Sequence, residues 1–274
     1  MQTKSTFVGD RAARYSGAVC SLILCCLSAP ALAVMQSKPV EWKVGDQAFS
    51  GYLVYDDAST DKRPGLVMVP DWKGVTDAAL EQAREVASDD YVILVADVYG
   101  KGVRPADNDA AMAQVKKMYA DLPGLRARAA KAVDVLRAQV DVAPLDGSRI
   151  GAFGYCFGGS TVLELARSGM KLAGIVTFHG GLGTSLPAAQ GAIKTPLLVL
   201  NGADDKGTAP DIAGFQKEMD NAGADWQFVN FSGAVHCFAL KAANSPPGCV
   251  YDPRAARRAY KMMENFFDEA FDTD

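Results

Sequence analysis

The alternation of short apolar runs with helical stretches constrains the fold of this 274-residue chain more than any other feature. Short apolar runs bounded by turn residues predict buried strands, and apolar residues at helical spacing predict the elements between them. We predict strands over 40–44, 49–55, 66–69, 91–96, 149–153, 173–178, 197–200 and 225–231. We predict helices over 76–87, 110–120, 125–140, 160–166, 212–222 and 253–271. This order predicts a single α/β domain in which a mostly parallel sheet carries helices on both faces.

Composition narrows the function classes. Hydrophobic residues make up 49% of the chain and charged residues 22%, which indicates a sizeable core and excludes disordered and fibrous proteins. The net charge of −4 argues against a nucleic-acid partner, because phosphate binding favours a basic surface. The chain has two histidines, His179 and His236, so an imidazole base must be one of them. The same scarcity makes a histidine-rich metal site an unfavourable interpretation, and we expect no metal.

The N-terminal segment is typical of a signal peptide. Three basic residues precede an apolar run over 16–27, and Ala31-Leu32-Ala33 supplies the small-x-small pattern of a cleavage site. We expect residues 1–33 to be removed after Ala33, leaving a domain over 34–274 in the periplasm or outside the cell. An uncleaved membrane anchor is the alternative, but the run is short for a membrane span, so we expect no stable insertion after processing.

Removal of the predicted signal peptide changes the number of cysteines in the mature chain from even to odd. Removal of residues 1–33 takes three of the six cysteines and leaves Cys156, Cys237 and Cys249. An odd number in an exported protein leaves at least one thiol without an intrachain partner. Cys237 and Cys249 flank a turn-rich segment, and an oxidising compartment would allow them to pair. Two unpaired thiols are the other interpretation, and the sequence leaves the choice between the two open.

The motif Gly154-Tyr155-Cys156-Phe157-Gly158-Gly159 joins a predicted strand to a predicted helix, as a nucleophile elbow does. Glycines flank the central residue because the turn is tight and strained. Cys156 would then lie at a helix N-terminus, where the helix dipole stabilises a thiolate and the backbone N–H of Phe157 faces a developing oxyanion. The alternative is a small buried cysteine at a glycine-rich helix start.

The order of residues along the chain separates the candidate bases. His179 follows the strand at 173–178 and His236 follows the last strand. In hydrolases with this elbow the acid follows the nucleophile and the base follows the acid, which gives Cys156, then Asp204 or Asp205, then His236. We favour Asp205, the fourth residue of a Gly-x-x-Asp turn. His179 is better explained as a structural histidine that bonds to loop backbone near the site.

These residues predict acyl transfer. The Cys156 thiolate attacks a carbonyl carbon, His236 carries the proton, and Asp205 orients the imidazole. The N–H groups of Phe157 and of Trp72, in the loop after the third strand, are the expected oxyanion donors.

The constellation resembles the dienelactone hydrolase family of α/β-hydrolases across nearly all of 34–274. The resemblance rests on five motifs in order, namely Gly154 to Gly159, Asp97-Val98-Tyr99-Gly100, Phe178-His179-Gly180-Gly181, Gly202-Ala203-Asp204-Asp205 and His236-Cys237-Phe238-Ala239. It implies an α/β-hydrolase fold, a triad of Cys156, Asp205 and His236, and a hydrolase of esters or lactones that needs no metal or organic cofactor.

The sequence departs from the family pattern at the substrate pocket. Asp71 stands where members of the family carry a glutamate that controls the resting thiol. Two arginines that grip a substrate carboxylate in the family correspond here to Lys101 and Leu240, and leucine cannot bind a carboxylate. Arg104, Trp72 and Tyr99 are further candidates for shaping the pocket, with surface or core packing as the alternative.

The expected function is therefore a cysteine-dependent hydrolase of small esters or lactones that works through an acyl-enzyme. The alternatives are a non-catalytic binding protein on the same scaffold and a carboxymethylenebutenolidase in the strict sense. A thiol redox protein is disfavoured because Gly159, three residues after Cys156, is not a cysteine.

Overall fold

The structure, a computed structural model, describes residues 34–272, so the predicted signal peptide over 1–33 lies outside the described residues. The described residues form an eight-stranded sheet in the spatial order β1-β2-β4-β3-β5-β6-β7-β8. Its strands are β1 (Met35–Val44), β2 (Gln47–Asp56), β3 (Arg63–Val69), β4 (Val92–Val95), β5 (Leu145–Tyr155), β6 (Ile175–Phe178), β7 (Leu197–Gly202) and β8 (Trp226–Phe231). β1 and β2 form an antiparallel hairpin, and β2 also pairs antiparallel with β4. The other strand pairs of this sheet are parallel.

The helices within the described range cover both faces of this sheet. They are α1 (Asp77–Ala87), α2 (Asn108–Tyr119), α3 (Leu122–Arg137), α4 (Phe157–Arg167), α5 (Ile212–Asn221) and α6 (Pro253–Asp272). One buried apolar cluster joins a face of the sheet to α2, α3, α4 and α5, and a second joins the opposite face to α1 and α6. This arrangement confirms the predicted α/β-hydrolase fold class.

The C-terminal helix illustrates how the sequence specifies these layers. Ala255, Ala259, Met263, Phe267 and Phe271 recur every fourth residue of α6 and are all buried. Residues four apart lie on the same face of a helix, so this stripe packs on the sheet while the charged residues face outward. No helix within 34–272 is long and apolar enough to cross a bilayer.

One small element departs from the predicted pattern. A two-stranded ribbon, β9 (Asn244–Ser245) paired with β10 (Cys249–Val250), follows β8. Strands of two residues are too short for an alternating apolar pattern to reveal them.

The register of the parallel strands gathers the candidate residues at one edge. Val69 at the end of β3 pairs with Gly154, and Tyr155 pairs with Phe178. Because neighbouring parallel strands end together, the loops after β3, β5, β6, β7 and β8 meet at the carboxyl edge of the sheet. Ligands of open α/β sheets bind at this edge.

Candidate active site

Cys156 lies at a strained turn between β5 and α4. Its φ of 53° and ψ of −118° fall in a region that residues with a Cβ rarely adopt. A Cβ on Gly158 would lie 2.0 Å from the carbonyl oxygen of Val69, and one on Gly154 would lie 2.3 Å from the carbonyl oxygen of Gly158. The two glycines are therefore required for α4 to start this close to the sheet. The half-buried Cys156 is held at the N-terminus of α4.

Three side chains from three loops form a connected chain. The Nε2 atom of His236 lies 3.0 Å from the Sγ atom of Cys156. The Nδ1 atom of the same ring lies 2.7 Å from Oδ2 of Asp205. This is the spacing expected of a nucleophile, a base and the group that orients the base. Among the described residues, Cys156 is the one cysteine outside a disulfide.

The structure brings Asp205 rather than Asp204 to His236. The carboxylate of Asp205 is buried, and its Oδ1 accepts the N–H of Gly207 at 2.9 Å, whereas Asp204 is exposed. Burial by itself raises the pKa of Asp205. Hydrogen bonds and charge from His236, with the N–H donors of Gly207 and Thr208, outweigh burial and lower that pKa below its usual value.

His236 carries a proton over the neutral range. Burial lowers the pKa of this imidazole, but the hydrogen bonds and charges of Asp205 and Cys156 outweigh burial and raise it to about 10. An imidazolium 3.0 Å from Sγ stabilises negative charge on that sulfur. The charged ring of His236 therefore lies directly against the Sγ atom of Cys156.

The ring of His179 packs against the ring of His236. The two rings meet edge to face with centroids 5.1 Å apart, and Tyr155 and Phe238 pack on other sides of His179. Its ring nitrogens bond to no other described residue, so the predicted bond from the ring to loop backbone is not formed; the backbone N–H instead donates to Leu200. Burial, followed by the positive charge of His236, lowers the pKa of His179 well below its usual value. His179 is a neutral packing partner of His236.

The two expected oxyanion donors lie at the start of α4 and in the loop after β3. Phe157 is the first residue of α4, so its N–H has no acceptor within the helix. Trp72 follows β3, and its carbonyl accepts the hydroxyl of Tyr99 at 3.0 Å. In the same loop, Oδ1 of Asp71 accepts the N–H of Lys73 at 2.8 Å.

A cavity of about 630 Å³ opens beside Cys156. Asp71, Trp72 and Leu240, all noted from the sequence, line it together with Cys156. Burial raises the pKa of Asp71, and the N–H and charge of Lys73 only partly offset that effect. The remaining walls come mostly from α1 and from the segment after His236, with Asn108 of α2 and Tyr260 of α6. No motif in the sequence marks these walls.

Three other predicted pocket residues lie elsewhere. Tyr99 is buried beneath the loop after β3, and its ring stacks on Phe157 with centroids 5.3 Å apart. The ammonium of Lys101 binds Glu41 on β1 at 2.8 Å. Arg104 donates to backbone carbonyls of the neighbouring hairpin and of its own loop. None of the three lines the cavity.

A disulfide closes the segment that carries His236. Cys237 and Cys249 are bonded, which resolves the open question of their pairing. The N–H of Val250 donates to the carbonyl of His236 at 3.1 Å, and the N–H of Asp252 donates to that of Phe238. The bridge and the bond from Val250 tie His236 and Cys237 to β10, and the bond from Asp252 holds Phe238 beside it.

We expect removal of this disulfide to destabilise the protein. The double variant Cys237→Ala/Cys249→Ala should lose about 2–3 kcal/mol of unfolding free energy, because the bridge restricts the unfolded chain. Chemical denaturation with and without reductant measures the loss. Reductant should shift the wild-type midpoint and leave that of the double variant unchanged. Equal midpoints for the two proteins without reductant would contradict the prediction.

Comparison with known proteins agrees with this fold. The model of the dienelactone hydrolase family matches residues 49–271. The solved structure named m3DLH is 36% identical with a TM-score of 0.80, and the match covers 86% of this chain and 99% of that one. A dienelactone hydrolase-like promiscuous phosphotriesterase, P91 from metagenomic libraries, is also 36% identical, with a TM-score of 0.79 and the same coverage.

More distant relatives extend the comparison. The dienelactone hydrolase of Anabaena variabilis shares the fold, with 19% identity, a TM-score of 0.63 and coverage of 86% of this chain and 98% of its own. An uncharacterised protein of Caenorhabditis elegans is 31% identical over 144 residues, which cover 50% of this chain and 89% of that protein. The family match spans most of the sheet and every loop at its carboxyl edge. This chain belongs to the dienelactone hydrolase family, whose members are hydrolases of esters and lactones.

Proposed function

We propose that the protein hydrolyses small carboxylic esters or lactones through a covalent intermediate on Cys156. The observation that carries the proposal is the placement of His236 between the Sγ atom of Cys156 at 3.0 Å and the carboxylate of Asp205 at 2.7 Å. Cys156 opens onto a cavity large enough for such substrates. A nucleophile, a base and an orienting acid in contact are the parts that acyl transfer needs.

In the first half-reaction, the Cys156 thiolate adds to the carbonyl carbon and forms a C–S bond. The carbonyl electron pair moves onto oxygen, where the N–H groups of Phe157 and Trp72 stabilise the charge. When the carbonyl re-forms, the bond to the alkoxy group breaks, and the His236 imidazolium protonates the departing oxygen. The products are a thioester on Cys156, a free alcohol and a neutral imidazole.

In the second half-reaction, the neutral ring of His236 takes a proton from water as the water oxygen attacks the thioester. Collapse of the second tetrahedral intermediate breaks the C–S bond and releases the acid. The thiolate of Cys156 and the imidazolium of His236 are thereby regenerated. Asp205 stays ionised throughout and holds the ring in the orientation that both steps need.

The alternatives have less support. A non-catalytic binding protein has no need for three side chains aligned at hydrogen-bond distance beside a strained cysteine. A carboxymethylenebutenolidase in the strict sense must bind a substrate carboxylate. Lys101 is instead paired with Glu41, and Leu240 presents an apolar wall.

Trapping the intermediate tests the proposal. Mixing the enzyme with p-nitrophenyl acetate and quenching in acid within the first turnover should add one acetyl group to the peptide that contains Cys156. A burst of p-nitrophenol equal to the enzyme concentration should accompany the adduct. Steady turnover with no burst and no adduct on Cys156, together with an unchanged rate in Cys156→Ala, would exclude the covalent route.

The pH dependence should reflect the raised pKa of His236. That pKa is about 10 rather than the usual 6.5, so the imidazolium is present below pH 10 and is lost above it. For ethyl butyrate, whose alkoxide must be protonated, kcat/KM should be level across neutral pH and fall above about pH 10. The measured midpoint belongs to the coupled pair of Cys156 and His236.

p-Nitrophenyl butyrate is the matched control, because p-nitrophenolate leaves without a proton. Its profile should therefore fall much less above pH 10 than that of ethyl butyrate. If both substrates instead gained activity with a midpoint near 6.5, a neutral imidazole acting on a thiol would replace the ion pair.

A further inference from the structure

The cavity beside Cys156 is a groove with two separate walls. One wall is the first two turns of α1, where Ala78, Ala79 and Gln82 line the groove. The other wall is the segment closed by the Cys237–Cys249 bridge, and it includes Ala242. The groove therefore reaches from Cys156 and the loop of Trp72 to residues of α1 and of the bridged segment that take no part in the proposed chemistry.

Small side chains account for the width of this groove. Alanines stand on both walls, at 78 and 79 on α1 and at 239, 242 and 243 opposite. The volume of about 630 Å³ lies within the range of roughly 300–1,000 Å³ that suits ligands of drug size. An acetyl ester or a compact lactone would fill only the end of the groove next to Cys156.

Charged groups on both walls of the groove are held in ion pairs. The ammonium of Lys241 contacts Glu85 across the two walls at 2.6 Å. Glu81 pairs with Arg84 on the same helix at 3.1 Å. Close to Cys156, the ammonium of Lys73 lies over the ring of Trp72, 5.2 Å from its centroid. A terminal carboxylate on an arm that reaches Lys241 would have to break the pair with Glu85 or lose its hydration without compensation.

We propose that this groove binds one long, uncharged arm of the ester, so that the enzyme prefers extended neutral esters to compact carboxylated lactones. The inference rests on the proposed function, because the arm is held in place by the ester group at Cys156. Apolar contact along the alanine walls supplies the preference, and Lys241, the cation on the wall opposite α1, is already paired with Glu85, so a terminal carboxylate is not required there.

Chain length tests the proposal directly. In the series of p-nitrophenyl acetate, butyrate and hexanoate, or in the parallel series of alkyl acetates, kcat/KM should rise at least about tenfold from the shortest arm to the longest. The mono-p-nitrophenyl ester of hexanedioic acid has the chain of the hexanoate with a terminal carboxylate. It should react at least about tenfold more slowly than the hexanoate.

Filling the groove should remove the preference without touching the reacting residues. Ala78→Trp on α1 and Ala242→Trp on the opposite wall each place a large ring in the groove at an exposed position. Both variants should lose most of the gain from the longer arm, so that the ratio of kcat/KM for the hexanoate to kcat/KM for the acetate falls several-fold below that of wild type. Ala127→Trp, at an exposed position on α3 that does not line the groove, is the matched control and should behave as wild type.

The outcomes separate the two proposals. Cys156-dependent hydrolysis of the acetate with no length preference in either series overturns the groove assignment and leaves the proposed function standing. A length preference that survives both tryptophan variants also overturns the assignment. No hydrolysis of any ester in either series overturns the proposed function and the groove assignment together.

Discussion

Replacing Cys156 by alanine is expected to lower kcat/KM for p-nitrophenyl acetate by at least about 10⁴-fold. The variant keeps the loops of Phe157 and Trp72 and the groove, so only binding and oxyanion stabilisation remain. Without Sγ no C–S bond can form, and water must attack the ester directly. Steady-state rates of the two proteins, measured side by side without reductant so that the Cys237–Cys249 bridge stays intact, give the ratio.

Cys156→Ser is the matched variant. Serine keeps the size of the side chain and a hydrogen-bonding atom near Nε2 of His236. An imidazolium can stabilise a thiolate, but it does not keep a serine hydroxyl ionised. We expect its activity to lie between those of wild type and the alanine variant. All three proteins should show the same thermal melting, since neither substitution alters the core. An alanine variant with the wild-type rate would show that the chemistry lies elsewhere.

The strands, the helices and the elbow could be predicted because their signals are local. Continuous apolar runs mark the buried strands β3, β6 and β7, and the glycines around Cys156 mark a turn that tolerates no Cβ. The order of Cys156, Asp205 and His236 along the chain also follows from topology, since parallel strands deliver successive loops to one edge. For these features the sequence contains nearly all the physical information.

The pocket could not be predicted in the same way, because its residues are placed by distant contacts. Asp97 accepts the N–H groups of Tyr99 and Gly100 at 2.9 and 3.0 Å and turns the loop after β4. The N–H of Lys101 then donates to Ala48 on β2, and its side chain reaches Glu41 on β1. By its position in a motif, Lys101 corresponds to a substrate-binding arginine of the family. The β1–β2 hairpin, whose Glu41 binds this lysine, has no motif that would reveal the contact.

The groove could not be predicted from the sequence for the same reason. Lys241 and Glu85 are 156 positions apart in the chain yet form one ion pair across it. The short ribbon of β9 and β10 and the disulfide set the second wall, and neither has a periodic pattern. The sequence therefore predicted which side chains meet at the candidate site better than it predicted the walls of the groove beside them.

Asp205→Asn should lower kcat by about 10³- to 10⁴-fold, close to the effect of removing the orienting carboxylate from other triads. An asparagine keeps the size of the side chain but removes the charge that accepts from Nδ1 of His236 at 2.7 Å. The ring loses its preferred tautomer, and the imidazolium loses its buried counter-charge. Single-turnover kinetics with ethyl butyrate separate this loss from changes in product release.

Asp204→Asn provides the matched control in the neighbouring residue. Asp204 is exposed and makes no side-chain contact with His236 within the described residues, so its replacement should change kcat less than about twofold. The pH profile gives an independent readout, because the carboxylate of Asp205 helps to raise the pKa of His236 to about 10. The alkaline fall with ethyl butyrate should move to lower pH in Asp205→Asn and stay in place in Asp204→Asn. A reversed pattern would make Asp204 the orienting acid, whereas two unaffected variants would leave His236 acting without a carboxylate.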